Sequence, residues 1–294
     1  MEKRSIDKDE LNKLLEMYDI GKKPLAKLLG WGETTIVLYA AMKTIPDNEY
    51  TEKLYRLYHD KNSFHELLIK NGDRITGVAY RKCMTKLYKP ILDSRILLVA
   101  QYIIDICPYT LSQAHLDVIL LWSQILSLKF LNVPVFDDIY QPTKGNGNSP
   151  YKIVAEGYKN GIFFNNGHQD KSTSIKDILI KTFAVSKEKL IDEPTKEIIS
   201  FVTDMFSWYG ERAFNSLLAA ERFRLCGPPQ EKTRRSVSNE LMKKIYGELF
   251  EQAKVKKIKD VETFIFKRLE TIRKKTGTPG DKEKKTPVNP ISKQ

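Results

Sequence analysis

Leu111 to Lys159 reads LSQAHLDVILLWSQILSLKFLNVPVFDDIYQPTKGNGNSPYKIVAEGYK. Leu111, Leu116, Ile119, Leu120, Ile125, Leu126 and Leu128 recur at three- and four-residue spacing, which predicts about five turns of a largely buried helix. The helix is expected to stop near Asn132. Pro134 disfavours helical geometry in the residue before it and has no N–H to donate. A Pro-Val-Phe-Asp-Asp turn follows, then a polar loop from Lys144 to Pro150, then a short helical pattern carrying Ile153, Val154 and Tyr158. A chain organised on such a helix is mainly α, with at most a small β-hairpin around Val135 to Tyr140 or near Ile175.

This order of helix, turn, glycine-rich loop and tyrosine-bearing helix resembles the SocA-like antitoxin domain, also called the Panacea domain. Leu116, Ile119, Leu120, Trp122 and Gln124 match the family's helix without gaps, and Pro134, Val135, Phe136, Asp137 and Asp138 match its turn. The family's Gln-Lys pair is replaced by Asp117 and Val118, and its Trp and Gly-Pro by Asn148, Ser149 and Pro150 in about the same place. Farther on, Tyr209, Gly210, Leu217, Glu221, Val237, Ser238, Glu240, Leu241 and Tyr246 follow the order of the family's second half. The resemblance covers Asp93 to Phe250. It implies a helical domain at 93–250 that binds and masks a toxic partner protein, with Trp122, Phe136, Asp137, Asp138, Tyr151, Tyr158 and Glu221 as candidate contacts.

Residues 1–60 predict a compact helical unit. Asp7 or Asp9 can cap a first helix carrying Leu11, Leu14, Leu15 and Tyr18, with Gly21 at its end. Pro24 stands where a second helix starts, and Gly30 closes it in left-handed geometry. A third helix follows Gly32, with Ile36, Val37 and Tyr39 inward and Pro46 at its exit. Two short helices joined by a tight glycine-containing turn form a helix-turn-helix pattern. Leu25, Ala26, Leu29, Gly30, Gly32, Thr34, Thr35, Ile36, Tyr39 and Pro46 resemble the helix-turn-helix of Xre-like repressors and MqsA-type antitoxins. That resemblance implies repression of an operon through operator DNA, with dimers on two half-sites. Glu33, Thr34, Thr35 and Leu38 would then lie near base edges, and Lys27 and Lys43 nearer phosphate. The relatives carry a basic residue where this chain has Leu38, and Leu cannot replace Arg as a reader of guanine.

Net charge is +12 over 294 residues, and its position matters more than its size. Residues 1–60 carry −1, 61–100 carry +5, 101–250 carry +1 and 251–294 carry +7. Residues 61–92 therefore read as a basic connector, 251–275 as a basic amphipathic helix and 276–294 as a disordered Gly/Pro/Lys-rich tail. The acidic balance of the first unit makes it a poor nonspecific DNA binder and favours a second reading. In that reading the chain is a protein-interaction factor without DNA readout, such as a proteolytic adaptor or a phage-encoded factor acting on a host defence protein.

Composition narrows the remaining classes. A hydrophobic content of 41% is enough for a core. No apolar run reaches the length of a membrane span, and the charged start MEKRSIDKDE is unlike a signal peptide, so a cytoplasmic protein is expected. Cys83, Cys107 and Cys226 are scattered, and His59, His65, His115 and His168 lack metal-ligand spacing. GNGNSP is not a phosphate loop, Asp137 and Asp138 are adjacent and point apart in an extended turn, and no nucleophile–base motif is present. The expectation is a non-enzyme with no cofactor or metal, whose partners are a cognate toxin or other target protein, operator DNA and a second copy of itself, but no membrane.

Overall fold

The computed structural model describes residues 6–141, 149–164, 191–227 and 236–276. Among these residues the fold is all helix: α1 (Lys8–Met17), α2 (Lys22–Leu29), α3 (Thr35–Ala40), α4 (Asn48–His59), α5 (Lys61–Asn71), α6 (Gly77–Leu92), α7 (Arg95–Ile106), α8 (Gln113–Phe130), α9 (Lys152–Lys159), α10 (Glu193–Phe206), α11 (Glu211–Cys226), α12 (Asn239–Gln252) and α13 (Asp260–Thr276). A single 3-10 turn, Gly72–Arg74, joins α5 to α6. No described helix is long and apolar enough to cross a membrane. The expected elements at 144–148, 165–183 and 228–235 and the tail at 277–294 lie outside the described residues.

Local chemistry sets the first unit. Asp7 accepts from Glu10 N–H at 2.7 Å while the Glu10 carboxylate takes Asp7 N–H, a reciprocal cap that starts α1. α1 is ended not by Gly21 but by Asp19, which sits at φ 48°. There Ile20 N–H reaches Leu15 C=O and Asp19 N–H reaches Glu16 C=O, so both carbonyls are satisfied by one left-handed residue. Gly21, at φ −77°, is instead the N-cap of α2. Gly30 does close α2 at φ 75°. α3 ends on Met42 at φ 54°, where Lys43 N–H meets Leu38 C=O, a conformation that costs a residue with a Cβ about 1–2 kcal/mol.

The core divides in two. Leu14, Tyr18, Leu25, Leu28, Ile36, Leu54, Phe64, Leu68, Met84 and Ile91 form the N-terminal one. Residues 61–92 are thus not a connector: α5 and α6 supply one side of that core, with Phe64 stacked on Tyr18 at 3.6 Å. The second core surrounds α8, whose residues Leu116 to Leu128 are all buried. A helix apolar on every side must be enclosed, and α7, α10, α11 and α12 enclose it. α13 packs on α11. The helix expected at 251–275 is instead the last turn of α12 and the separate α13, because Lys254 turns left-handed at φ 56° between them.

The two units share a joint. Gln101 on α7, fully buried, donates from Nε2 to Phe164 C=O at 2.8 Å and accepts Phe164 N–H on Oε1 at 2.9 Å. The Phe164 ring enters the N-terminal core against His65 (4.5 Å) and Tyr88 (4.8 Å). His65 is bonded to the Tyr88 hydroxyl at 2.6 Å, and burial pushes its pKa down to about 4, so it is a neutral core group.

No hairpin forms at Val135 to Tyr140. The extended run makes one antiparallel bridge, Tyr140 with Val237, at 2.9 Å from Val237 N–H to Tyr140 C=O. The backbone groups of Val135 and Phe136 are taken by side chains of neighbouring helices instead of a strand.

Candidate protein-binding site

Two surfaces follow from the expected site residues, and the structure treats them differently. The first is the turn after α8. Asn132 at φ 62° reverses the chain, and the Ser127 hydroxyl donates to Val133 C=O at 2.7 Å. Gln124 then grips the turn from within the helix. Its Oε1 accepts Val135 N–H at 2.8 Å and Phe136 N–H at 3.3 Å, and its Nε2 donates to Phe136 C=O at 2.8 Å. The same Nε2 reaches Asn239 Oδ1 on α12 at 2.6 Å, and Arg95 Nε on α7 donates to Val135 C=O at 3.2 Å. Every backbone polar group of Val135 and Phe136 is therefore satisfied without a sheet.

This grip sorts the side chains. Val135, Phe136 and Tyr140 point into the core, whereas Val133 (48% exposed), Pro134, Asp137 and Ile139 (51% exposed) face solvent. Lys243 of α12 bonds Asn132 at one edge. Asp138 is half-buried, and burial raises its pKa. A knuckle with two exposed aliphatics, held rigid from below, loses little entropy when a partner covers it.

The burial corrects four of the seven expected contacts. Trp122 and Glu221 are completely buried, and Phe136 and Tyr151 are 1% exposed. Trp122 packs edge-on against Tyr246 at 5.6 Å, and Tyr151 against Phe136 at 5.2 Å and Tyr140 at 5.5 Å. They build the floor and cannot touch a partner. Glu221 is held inside α11 by the Tyr246 hydroxyl and Arg268 Nε. Asp137 remains on the knuckle. Tyr158 is 37% exposed, with its hydroxyl donating to Leu111 C=O at 2.8 Å. The residue that matches the family helix but is absent from the expected contacts is Gln124. The signal was there, since a glutamine in an unbroken apolar helix needs buried partners.

Beneath the knuckle lies a buried carboxyl. Asp117 on α8 accepts the Ser149 hydroxyl at 2.5 Å, and Ser149 Oγ also accepts Tyr151 N–H at 3.1 Å. Burial pushes the Asp117 carboxyl up to about 7, opposed by the Ser149 bond and the charge of Arg222. Asp105, bonded to Gln101 at 3.0 Å, is pushed up to about 7 by the same cause. The folded values lie above the unfolded carboxylate range, so folding favours protonation. Stability from these groups is greatest below pH 4 and is lost as pH rises to 7. Asp117→Asn keeps the neutral shape, so its stability advantage over the native chain should grow between pH 4.5 and 7 and then level off. Urea midpoints across that range that stay parallel for both proteins contradict this.

The second surface is that of α2 and α3, where the helix-turn-helix was expected. α2 and α3 pack together, and Glu33, Thr34, Leu38 and Lys43 are exposed on it, with Thr35 half-buried. Glu33 pairs with Lys27 at 2.9 Å and Lys23 at 3.9 Å. The Lys27 bond and charge hold the Glu33 carboxyl below its usual range. The pair occupies Lys27, expected at phosphate, and Glu33, expected at base edges, with each other. Val37 was expected inward and is instead 36% exposed beside Leu38 (37%), Met42 (64%) and Ile45 (84%), while Ile36 and Ala40 face the core. The outer face of α3 carries the apolar Val37 and Leu38, and Met42 and Ile45 follow just beyond its end.

Fold and surfaces together define a mainly α-helical protein, with one helical core at its N-terminal side and a second wrapped around one buried helix. No family model, no curated protein and no solved structure matches the chain.

Proposed function

We propose that this chain is an antitoxin-like regulator that binds and neutralises a toxic partner protein and performs no catalysis itself. The observation that supports it is the knuckle at 132–140: a turn held at Val133, Val135 and Phe136 by side chains of α7, α8 and α12, whose Val133, Pro134, Asp137 and Ile139 are turned out to solvent. Such a preorganised apolar tip with one carboxylate suits a partner offering an apolar pocket beside a cation. The resemblance of 93–250 to the SocA-like domain points the same way.

The second reading, a protein-interaction factor without DNA readout, is favoured by the apolar face of α3 and by the Glu33–Lys27 pair. The two readings share the knuckle and differ in the partner, a cognate toxin or another target protein, and in whether an operator is bound. Repression of its own operon through α3 requires retardation of the upstream region beyond that of random DNA at physiological salt.

The test is co-expression with the adjacent gene. The neighbour alone should arrest growth, and this protein should relieve the arrest and co-purify with it. The double variant Val133→Asp with Ile139→Asp should change stability by only about 0.5 kcal/mol, since both side chains are at the surface, yet lose relief and complex. A harmless or unbound neighbour defeats the antitoxin reading. Unchanged binding by the double variant moves the contact off the knuckle.

A further inference from the structure

α6 carries more cations without a carboxylate than any other described helix; α2, which also lacks a carboxylate, has three lysines, and two of them pair with Glu33. The sixteen residues of α6, GVAYRKCMTKLYKPIL, hold four cations and no carboxylate. Arg81, Lys82, Lys86 and Lys89 are all exposed, whereas Cys83, Met84, Leu87, Tyr88 and Ile91 face the core. At 100° per residue Lys82, Lys86 and Lys89 fall within about 60° of one another, and the four charges span about 12 Å of helix axis. None of the four has an ion-pair partner among the described residues. Arg81 spends one N–H on Gly77 C=O of its own helix.

A solvated helix face ordinarily interleaves signs, as α4 does with Glu49 and Lys53 at 2.7 Å. α6 instead places like charges four apart at Lys82 and Lys86 and three apart at Lys86 and Lys89, each pair costing a few tenths of a kcal/mol. Opposite charge brought to this face relieves that repulsion. The row continues past Lys86 into a cleft of about 470 Å³ bordered by Lys13 of α1 and Lys61 of α5, with Met17, Leu87, Pro90 and Ile162 along it. The carboxylates near this region include Glu16, which lines the same cleft, Asp19, whose charge reaches Cys83, and Asp93, the exposed residue that caps the C-terminus of α6 four places past Lys89.

We propose that the α6 face is a sequence-independent docking surface for the phosphate backbone of double-stranded DNA. This goes beyond the antitoxin reading and does not depend on it, because the surface lies on the N-terminal unit and not on the knuckle. A duplex presents one negative charge per about 1.7 Å of its axis, so a 12 Å cationic row faces a matching run of phosphates. A membrane is the poorer fit. Val78 is the one strongly exposed aliphatic of α6 outside Pro90, so nothing on it would enter lipid. The face supplies the phosphate contacts that α3 lacks, and it reads no bases.

The experiment uses the full chain and a fluorescent random-sequence duplex of about 20 base pairs, with affinity followed by anisotropy from about 50 to 200 mM salt. Four phosphate contacts give a slope of log K on log salt between about −3 and −4, so affinity should fall on the order of 10²-fold over that range. The quadruple variant R81Q/K82Q/K86Q/K89Q should lose most of the binding and of the slope. A control of equal charge, K244Q/K257Q/K267Q/K274Q, removes four exposed lysines elsewhere and should keep both. Circular dichroism should show both variants folded. No binding by the native chain, or equal weakening of the two variants, overturns the proposal. So does tight binding of polyglutamate to the α6 face without binding of the duplex, which would assign the face to an acidic protein.

Discussion

Gln124→Leu should lower the unfolding free energy by about 4 kcal/mol in urea denaturation, more than its exchange of an amide for a branched alkyl group suggests. The leucine fills nearly the same space, so cavity formation contributes little. What is lost is the partner of three backbone groups: Val135 N–H, Phe136 N–H and the better of the two donors to Phe136 C=O. Only the Asn239 amide, at 3.4 Å, still reaches that carbonyl. Each buried amide left unpaired costs about 1–3 kcal/mol, and with no strand beside the turn there is no substitute. The knuckle should loosen even where the chain stays folded, so partner affinity should fall together with stability. A loss under about 1 kcal/mol would show that the Gln124 grip is not what holds the turn.

Glu221→Leu should cost about 3–5 kcal/mol for a different reason. Glu221 is wholly buried and meets Arg268 of α13 and the hydroxyl of Tyr246 of α12, with Arg224 Nε at 3.7 Å. Removing the carboxylate leaves the Arg268 guanidinium, 14% exposed, without its counter-charge in the core. The loss belongs mostly to that stranded cation and not to the worth of the pair. The double variant Glu221→Leu with Arg268→Met removes both charges and should recover most of the loss. α13 should also detach first in the single variant, seen as early hydrogen exchange over Asp260 to Thr276. If the double variant is no more stable than the single one, the buried pair stabilises in its own right and this explanation fails.

Some of this was legible in the residues. The apolar spacing of Leu116 to Leu128 marks α8 as a buried helix, and Pro134 with Asn132 sets its end, because both effects act within one or two turns of backbone. Gly30 at the left-handed close of α2 is local in the same way. The choice of Asp19 over Gly21 was not, since glycine is only the cheapest occupant of that conformation and packing of Tyr18 against Phe64 places the reversal two residues earlier. The basic stretch 61–92 looked like a connector because its charges are conspicuous, while Phe64, Leu68, Met84 and Ile91 bury the opposite sides of α5 and α6.

The site residues divide along the same line. A family pattern marks positions without saying which way they face, so Trp122, Phe136, Tyr151 and Glu221, expected at a surface, are floor. Val133 and Ile139, which no motif singles out, are what solvent meets. The sequence by itself determined that this protein is mainly α-helical, where its central helix ends, and that two short helices meet at a glycine-closed turn near its start, because each follows from side-chain periodicity and backbone chemistry over a few residues. Only the tertiary structure decided that Gln124 reaches over eleven residues to bond a turn, that Glu33 is spent on Lys27, and that the cations of α6 stand together with no ion-pair partner among the described residues. Those facts depend on which groups distant segments bring within about 3 Å of each other, and hydrogen bonding at that range is set by packing rather than by local propensity.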